Sequence, residues 1–261
     1  MTTSKTSDSM PTSPRKQPAT ATVAAPYAAV RDLVLANRIL AHEGILDAFG
    51  HVSIRHPVNG QHYLLSRQVA PALVQGDDIV ALDMDSNPVG DASGPFYIER
   101  FIHGEIYRRR PDVHAIVHSH SPTILPFGVT RVKMRPVSHM SGFIGDDTPV
   151  FDIRDHQRHS DMLVRSAALG VALADSLGDH AVALMRGHGN VVVAPDIKVA
   201  VYRAIYCEVN ARLQLQALQL DPKPRYLSES EAANSDATNM KVVTRPWRHW
   251  AERAGCADLL D

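Results

Sequence analysis

The hydrophobic residues of this chain recur at helical spacing in four segments. In the first of them, Val30, Leu33, Val34 and Leu40 fall on one face, because apolar residues three or four positions apart lie on the same side of a helix. Pro26 precedes them and suits a first helical turn. The spacing predicts helices over residues 26–43, 98–109, 160–177 and 195–220.

Short runs rich in Val, Ile and Leu lie between these helices and predict strands. Two of the links, 57–60 and 76–78, contain the Pro, Asn, Gly and Asp residues that are typical of turns. Several neighbouring strands are thus joined by connections too short for a helical crossover, which favours an α/β fold in which helices cover a mixed or antiparallel sheet. The predicted strands cover residues 51–55, 63–65, 79–82, 113–119, 181–185 and 191–193.

The two ends of the chain differ in composition from its middle. Residues 1–25 are rich in Thr, Ser, Pro and Ala and lack the apolar segment of a secretory signal, so we predict a disordered leader. Residues 221–261 are polar and show no clear period, which predicts an irregular C-terminal tail carrying Trp247 and Trp250. The main domain is expected to occupy residues 26–220.

Charge and composition exclude several kinds of partner. The formal net charge is −1, so no bulk field favours binding to nucleic acid or to an anionic membrane. No apolar run approaches the roughly 18 residues of a membrane span. Two cysteines do not make a disulfide framework, which suits a reducing compartment, and we expect a cytoplasmic protein.

Three histidines and one glutamate form the most informative set of polar residues. His118 and His120 follow an apolar strand, and they point to the same face if that strand extends by one residue. His188 lies in an Arg-Gly-His-Gly segment whose glycines allow close backbone approach. Three protein ligands and an open position are typical of a catalytic metal, whereas the alternative is a set of structural histidines.

Glu99 opens the second predicted helix, directly upstream of the histidine strand. It is a candidate metal ligand or general acid/base. The alternative is a carboxylate that only stabilises a helix N-terminus. His103 and Tyr107 share a helical face with Glu99, so His103 is expected to orient a ligand or to pack in the interior.

A second group of candidates lies at the ends of the first two strands. Gly50 suggests a close backbone approach, and His51 beside it is a candidate proton donor or an ordinary loop residue. Ser66 and Arg67 end the next strand. A guanidinium can grip a carboxylate through two hydrogen bonds, although most arginines are solvated surface charges.

These motifs together resemble the class II aldolase/adducin family. The resemblance spans residues 26–220, and its motifs are Gly-His-Val-Ser-Ile-Arg at 50–55, Glu-Arg-Phe-Ile-His-Gly-Glu-Ile-Tyr at 99–107, Arg-Pro-Asp-Val-His-Ala-Ile-Val-His-Ser-His-Ser-Pro at 110–122 and Arg-Gly-His-Gly at 186–189. It implies an α/β/α sandwich around a mostly antiparallel sheet and a homotetramer with active sites at subunit interfaces. It also implies that residues 26–220 are a catalytic domain in which His118, His120 and His188 bind a metal and Glu99 is a ligand or acid/base.

The departures from the family pattern point to one branch of it. Sugar-phosphate aldolases usually have Gly-Asn where this chain has Gly50-His51, and Ser-Ser where it has Tyr97-Ile98. Their phosphate-binding loop is replaced by Leu-Ser-Arg-Gln-Val-Ala at 65–70. The chain is instead similar to the decarboxylases of aromatic dicarboxylates, such as hydroxy-methylpyridine dicarboxylate and dihydroxyphthalate.

The resemblance therefore implies a metal-dependent, non-oxidative decarboxylase of a hydroxylated aromatic dicarboxylate. Mn²⁺ is the favoured metal, and Zn²⁺, Fe²⁺ or Co²⁺ also suit the ligand set. His51 or Glu99 would donate the proton. Ser66, Arg67 and Gly50 would bind the substrate. The alternatives are an aldolase or other lyase acting on an unphosphorylated hydroxy acid or sugar derivative, and a non-catalytic binding protein of the adducin type.

Overall fold

A seven-stranded sheet, built from the apolar runs of the sequence, forms the centre of the molecule. The computed structural model describes residues 24–260, so the predicted disordered leader lies outside the described residues except for its last two positions. The strands are β1 (His51–Arg55), β2 (His62–Ser66), β3 (Ile79–Asp83), β4 (Ala115–Ser119), β5 (Val150–Phe151), β6 (Val182–Met185) and β7 (Gly189–Ala194).

The strand order is β3-β2-β1-β4-β7-β6-β5. Every neighbouring pair is antiparallel except β5 and β6, which are parallel. The predicted α/β class with a mostly antiparallel sheet is thus confirmed. The sequence pattern missed β5, because a two-residue strand is too short to show an alternation of apolar and polar positions.

Helices cover both faces of this sheet. A 3₁₀ turn over Ile98–Arg100 leads directly into the second helix. Within the described residues no helix is both long and apolar enough to cross a membrane. The helices are α1 (Tyr27–His42), α2 (Phe101–Arg109), α3 (Leu125–Val129), α4 (Ala167–Leu177), α5 (Ile197–Leu220), α6 (Glu229–Asn239) and α7 (Thr244–Arg253).

The middle strands are apolar on both faces because each face has its own core. On β4, Val117 packs in the core that α1, α5 and α7 cover, whereas Ile116 packs in the core that α2 and α4 cover. Side chains alternate along a strand, so His118 lies on the same face as Ile116. On β1, His51 and Ser53 alternate with Val52, which packs in the first core. The α2 face of the sheet therefore receives the histidines.

The C-terminal tail is ordered, so the prediction of an irregular segment is wrong. Ser228 and Glu231 form a capping box that starts α6, in which each side chain accepts a hydrogen bond from the other residue's backbone N–H. In α7, Trp247, Trp250 and Ala251 recur at helical spacing and join the core beside α5. The prediction failed because only these few residues of a polar segment are apolar, although the capping-box pattern was visible in the sequence.

Close packing between α2 and α4 generates a first prediction. A Cβ at Gly170 would lie 2.5 Å from the Phe101 carbonyl oxygen. Alanine is the better helix former by about 1 kcal/mol, but overpacking typically costs about 1–3 kcal/mol. We therefore expect Gly170→Ala to lower the free energy of unfolding, measured by urea denaturation. Gly60→Ala, where a Cβ meets nothing within 4 Å, is the control. Equal stability of the two variants would show that the helices pack less tightly.

Candidate metal centre

Strand pairing brings the candidate residues to one region of the sheet. β4 lies between β1 and β7, and His51 is directly opposite His118 in the β1–β4 register. Ser119 is opposite Asn190 at the start of β7, so the turn carrying His188 lies beside the end of β4. A Cβ at Gly189 would lie 2.0 Å from the Ser119 carbonyl oxygen, so only glycine permits this approach.

The structure brings all four predicted ligands together. One potential ligand atom from each of Glu99, His118, His120 and His188 lies within 4.8 Å of all the others. Nε2 of His188 is 3.2 Å from Nε2 of His120 and 3.3 Å from the nearer Glu99 oxygen. His120 lies one residue beyond the end of β4. This is the position at which a strand longer by one residue would point His120 to the same face as His118.

Two of the imidazoles are oriented by backbone carbonyl groups. Nδ1 of His118 lies 3.1 Å from the carbonyl oxygen of Asn190, and Nδ1 of His188 lies 2.8 Å from that of Met162. A carbonyl oxygen only accepts hydrogen bonds, so each Nδ1 carries the proton and each Nε2 keeps its lone pair. This is the tautomer that a metal-binding histidine needs.

The third imidazole is oriented by a carboxylate. Nδ1 of His120 lies 3.1 Å from an oxygen of Asp47, whose other contacts are the backbone N–H groups of Phe49 and Gly50. Burial opposes ionisation of Asp47, but these hydrogen bonds lower the pKa of its carboxyl group. Asp47 was not among the predicted site residues, because only the tertiary structure places it beside His120.

Glu99 supplies a buried negative charge to the cluster. One of its oxygens accepts a 2.8 Å hydrogen bond from the Val164 backbone N–H, and the other faces His118 and His188. Burial alone would raise the pKa of Glu99, but the two histidines outweigh it and hold this pKa well below its usual value. The same carboxylate raises the pKa of His188, although burial opposes it.

The donor set fits a divalent cation. Nε2 of His118 is buried and has no hydrogen-bond partner among the described residues, since the Glu99 oxygen is 3.5 Å away. An unpartnered buried nitrogen is costly unless another group fills its lone pair. Three imidazole nitrogens and one carboxylate oxygen converge here, which is the ligand set of Zn²⁺, Mn²⁺, Fe²⁺ or Co²⁺ sites.

The loop before α4 holds two of the cluster residues in place. A helix was predicted over 160–177, but α4 begins only at Ala167, so the first part of that prediction is wrong. Ser166 caps the helix, and Met162 has a φ of 74°, which is incompatible with a helix. The Met162 carbonyl and the Val164 N–H instead bond to His188 and Glu99. No local sequence signal distinguishes these backbone contacts from a helical turn.

His51 lies beside the cluster and in a separate hydrogen-bond network. It is 1 % exposed, and its ring centroid is 5.0 Å from that of His118. Its Nδ1 is 2.6 Å from Nε2 of His103, a residue on α2. Burial, together with the neighbouring His103 and His118, holds the pKa of His51 well below its usual value. His51 is therefore neutral in the absence of a ligand.

A cavity of about 170 Å³ opens at the cluster, and aromatic and apolar side chains form part of its wall. None of the described residues that line it is lysine or arginine. Gly50 is buried and does not line the cavity, and a Cβ at this position would lie 3.1 Å from the His118 carbonyl oxygen. Ser66 is buried and Arg67 half-buried, and neither lines the cavity. The lining residues are Phe49, His51, Gln68, Tyr97, Ile98, Glu99, His120 and Leu163.

Known proteins match most of the chain in sequence. Residues 31–215 match the family model of the class II aldolase and adducin N-terminal domain. The chain is 37 % identical to the decarboxylase tropJ of Talaromyces stipitatus, over 88 % of this chain and 95 % of that protein. It is 30 % identical to the 3,4-dihydroxyphthalate decarboxylase of Arthrobacter keyseri, over 88 % of this chain and 96 % of that enzyme.

Solved structures show the same fold at lower sequence identity. An aldolase II superfamily protein from Pseudomonas syringae has a TM-score of 0.72 at 19 % identity, covering 88 % of this chain and 93 % of its own. L-fuculose 1-phosphate aldolase from Glaciozyma antarctica has a TM-score of 0.70 at 23 % identity, covering 92 % and 96 % respectively. At these identities the likeness concerns the fold alone.

The central position of His118 gives a prediction about metal affinity. Removing a group that hydrogen-bonds to a metal ligand typically weakens metal binding 10- to 100-fold. Removing a ligand itself should therefore weaken metal binding by at least about 100-fold. We expect this loss of Zn²⁺ affinity in His118→Gln, measured by titration calorimetry. His114→Gln, at an exposed histidine just before β4, should bind like the wild type. If His118→Gln also binds normally, the cluster is not the metal site.

The contact between His120 and Asp47 is tested separately. Asp47→Asn keeps an oxygen for the backbone N–H groups but removes the charge that favours a proton on Nδ1 of His120. We expect Zn²⁺ binding about 10- to 100-fold weaker than in the wild type. Asp85→Asn is the control, because this 71 % exposed carboxylate pairs with Arg108 instead. Unchanged affinity in Asp47→Asn would mean that Asp47 does not orient a ligand.

Proposed function

We propose that this chain, which belongs to the class II aldolase and adducin family, is a metal-dependent decarboxylase of hydroxylated aromatic dicarboxylates. The observation that carries the proposal is the buried convergence of three imidazole nitrogens and one carboxylate, with His118 Nε2 left without a partner. The relatives described above support the reaction type, because proteins named decarboxylases match 88 % of the chain at 30–37 % identity.

The ligands proposed for the metal are His118, His120, His188 and Glu99, and Mn²⁺ is the ion we favour. A bound divalent cation supplies positive charge that stabilises negative charge developing on substrate oxygens. The protein's part is to keep each Nε2 unprotonated through its contacts to Nδ1, and to keep Glu99 ionised. The contacts of these side chains to Asn190, Asp47, Met162 and Val164 support both conditions.

The proton that replaces the carboxylate is assigned to His51. Decarboxylation breaks the bond between the ring and the carboxylate carbon and leaves the electron pair on the ring carbon, which then needs a proton. Both Glu99 oxygens act as acceptors, one from the Val164 N–H and one toward the histidines, so Glu99 is poorly suited to donate. His51 lines the cavity and can give its Nε2 proton to the ring carbon, provided that its Nδ1 gains a proton in the same step; water can then restore the proton on Nε2.

The remainder of the substrate is proposed to contact aromatic and polar side chains at the cavity. Phe49, Tyr97 and Leu163 offer apolar surface to an aromatic ring. Ser66 and Arg67 are proposed to hold the second carboxylate. The support is that they precede the cavity residue Gln68 directly and that Arg67 Nε is buried with no hydrogen-bond partner among the described residues.

A homotetramer with interfacial active sites stays part of the proposal. Two large apolar side chains at the mouth of the cavity, Phe49 and Ile98, are 70 % and 45 % exposed in the single chain. Apolar residues at such a position suit coverage by a second subunit.

The test is CO₂ release from Mn²⁺-loaded protein with a panel of hydroxylated benzene and pyridine dicarboxylates. We expect release that stops when a chelator removes the metal and that is abolished in His118→Gln but retained in His114→Gln. The ring system with the highest rate identifies the substrate class. Bound metal without CO₂ release from any member would favour aldol cleavage of an unphosphorylated hydroxy acid. Failure to bind any divalent metal would favour an adducin-like binding protein.

A further inference from the structure

A row of buried hydrogen-bonding side chains runs from the cavity into the packing between β1 and α2. His51 Nδ1 lies 2.6 Å from His103 Nε2, and His103 Nδ1 lies 2.6 Å from the Ser53 hydroxyl. The Ser53 hydroxyl lies 2.8 Å from that of Tyr107. Ser53 and His103 are fully buried, and Tyr107 is 1 % exposed. The proposed function uses only His51 from this row.

The donors and acceptors of the row can be arranged in two directions. In the first, Tyr107 donates to Ser53, Ser53 donates to His103 Nδ1, and His103 Nε2 donates to His51 Nδ1. Every proton in the interior of the row then has an acceptor. His51 accepts at Nδ1 in this arrangement, so a neutral ring must carry its own proton on Nε2.

The opposite direction leaves a buried donor without a partner. There His51 donates to His103, His103 donates to Ser53, and Ser53 donates to Tyr107. The Tyr107 hydroxyl would then have to donate elsewhere, but among the described residues its only hydrogen-bond partner is Ser53. An unsatisfied buried donor costs about 1–3 kcal/mol, whereas the first direction leaves only a lone pair of a hydroxyl oxygen unfilled. The first direction is therefore favoured.

We infer that Ser53, His103 and Tyr107 are positioning residues that hold His51 as the tautomer protonated on Nε2. His51 then offers the cavity an N–H group, and not a bare lone pair, which suits a carboxylate or phenolate oxygen. If the Nε2 proton passes to the ring carbon, Nδ1 takes the proton of His103 Nε2, His103 takes that of Ser53 and Ser53 takes that of Tyr107, so the negative charge moves from the ring carbon to the Tyr107 oxygen. That catalytic consequence rests on the proposed function. The tautomer itself rests only on the hydrogen bonds, so the two can fail separately.

Two substitutions at His103 distinguish the directions. In His103→Gln the side-chain amide can still donate to His51 and accept from Ser53. In His103→Glu an ionised carboxylate can only accept, so His51 Nδ1 must become the donor, and at a pH where the His51 ring is neutral its Nε2 then carries no proton. We expect ¹⁵N NMR of histidine-labelled protein to show His51 protonated on Nε2 in the wild type and in His103→Gln, and on Nδ1 in His103→Glu. The His51 signals are assigned by their loss in His51→Gln.

The spectra are recorded on metal-free and on Zn²⁺-loaded protein, so that the readout needs neither substrate nor turnover. If the proposed decarboxylation holds, kcat in His103→Glu should fall about 100-fold relative to His103→Gln, with a smaller change in KM. The expected tautomers without any decarboxylation would sustain this inference and overturn the proposed function. A wild-type His51 protonated on Nδ1 would overturn the inference.

Tyr107→Phe provides an independent check that introduces no charge. It removes the Tyr107 hydroxyl and retains the aromatic ring. The Ser53 proton then has only His103 Nδ1 as an acceptor among the described residues, so we expect His51 to stay protonated on Nε2. A His51 protonated on Nδ1 in Tyr107→Phe would overturn the inference, because the Ser53 proton would then have no acceptor. This variant also keeps the inference testable if His103→Glu fails to fold, as judged by circular dichroism.

Discussion

The site depends on the burial of a carboxylate and several imidazoles between a sheet and its covering helices. Polar groups are stable in such a place only when their atoms have partners. Here the atoms directed away from the cluster are bonded to the protein, as in the contacts of His188 to Met162 and of Glu99 to Val164. At the centre of the cluster, His118 Nε2 is buried and has no hydrogen-bond partner among the described residues. The arrangement of these buried groups therefore fits a divalent cation.

The sheet topology makes this arrangement possible. Because β4 lies between β1 and β7, one face of three neighbouring strand ends can meet the start of α2. The close approach of the β6–β7 turn to the end of β4 depends on Gly189, which has no side chain to keep the Ser119 carbonyl away. Both faces of the sheet are packed with apolar residues, so the strand ends are held rigidly. Rigid supports are what a set of converging ligands requires.

The three histidines of the cluster and His51 need opposite tautomers. The three histidines of the cluster need a proton on Nδ1 so that Nε2 can bind a cation, and acceptor oxygens provide this. His51 is held from the other side by a histidine, and the donor at the far end of its row is a buried tyrosine hydroxyl. Identical side chains a few ångströms apart are thus given different tautomers by their partners. Such a division lets one cavity hold a cation and still donate a proton.

The sequence alone determined the main elements and the identity of the four clustered side chains. Apolar periodicity is a local property, so α1, α5 and every strand except β5 could be predicted from it, and the spacing of His118 and His120 required only the period of a strand. The four family motifs also led to the correct family, which the match over residues 31–215 shows.

The tertiary structure decided the contacts that orient these side chains. Asp47, the Met162 carbonyl and the Val164 N–H lie 73, 26 and 65 positions from their partners, and two of them are backbone groups that every residue carries. The same loop had the apolar spacing of a helix and gave a wrong prediction, and the tail helices were missed because few of their residues are apolar. Local pattern reports which face of a segment is buried, whereas the hydrogen-bond partner of a buried group depends on how distant segments fold together.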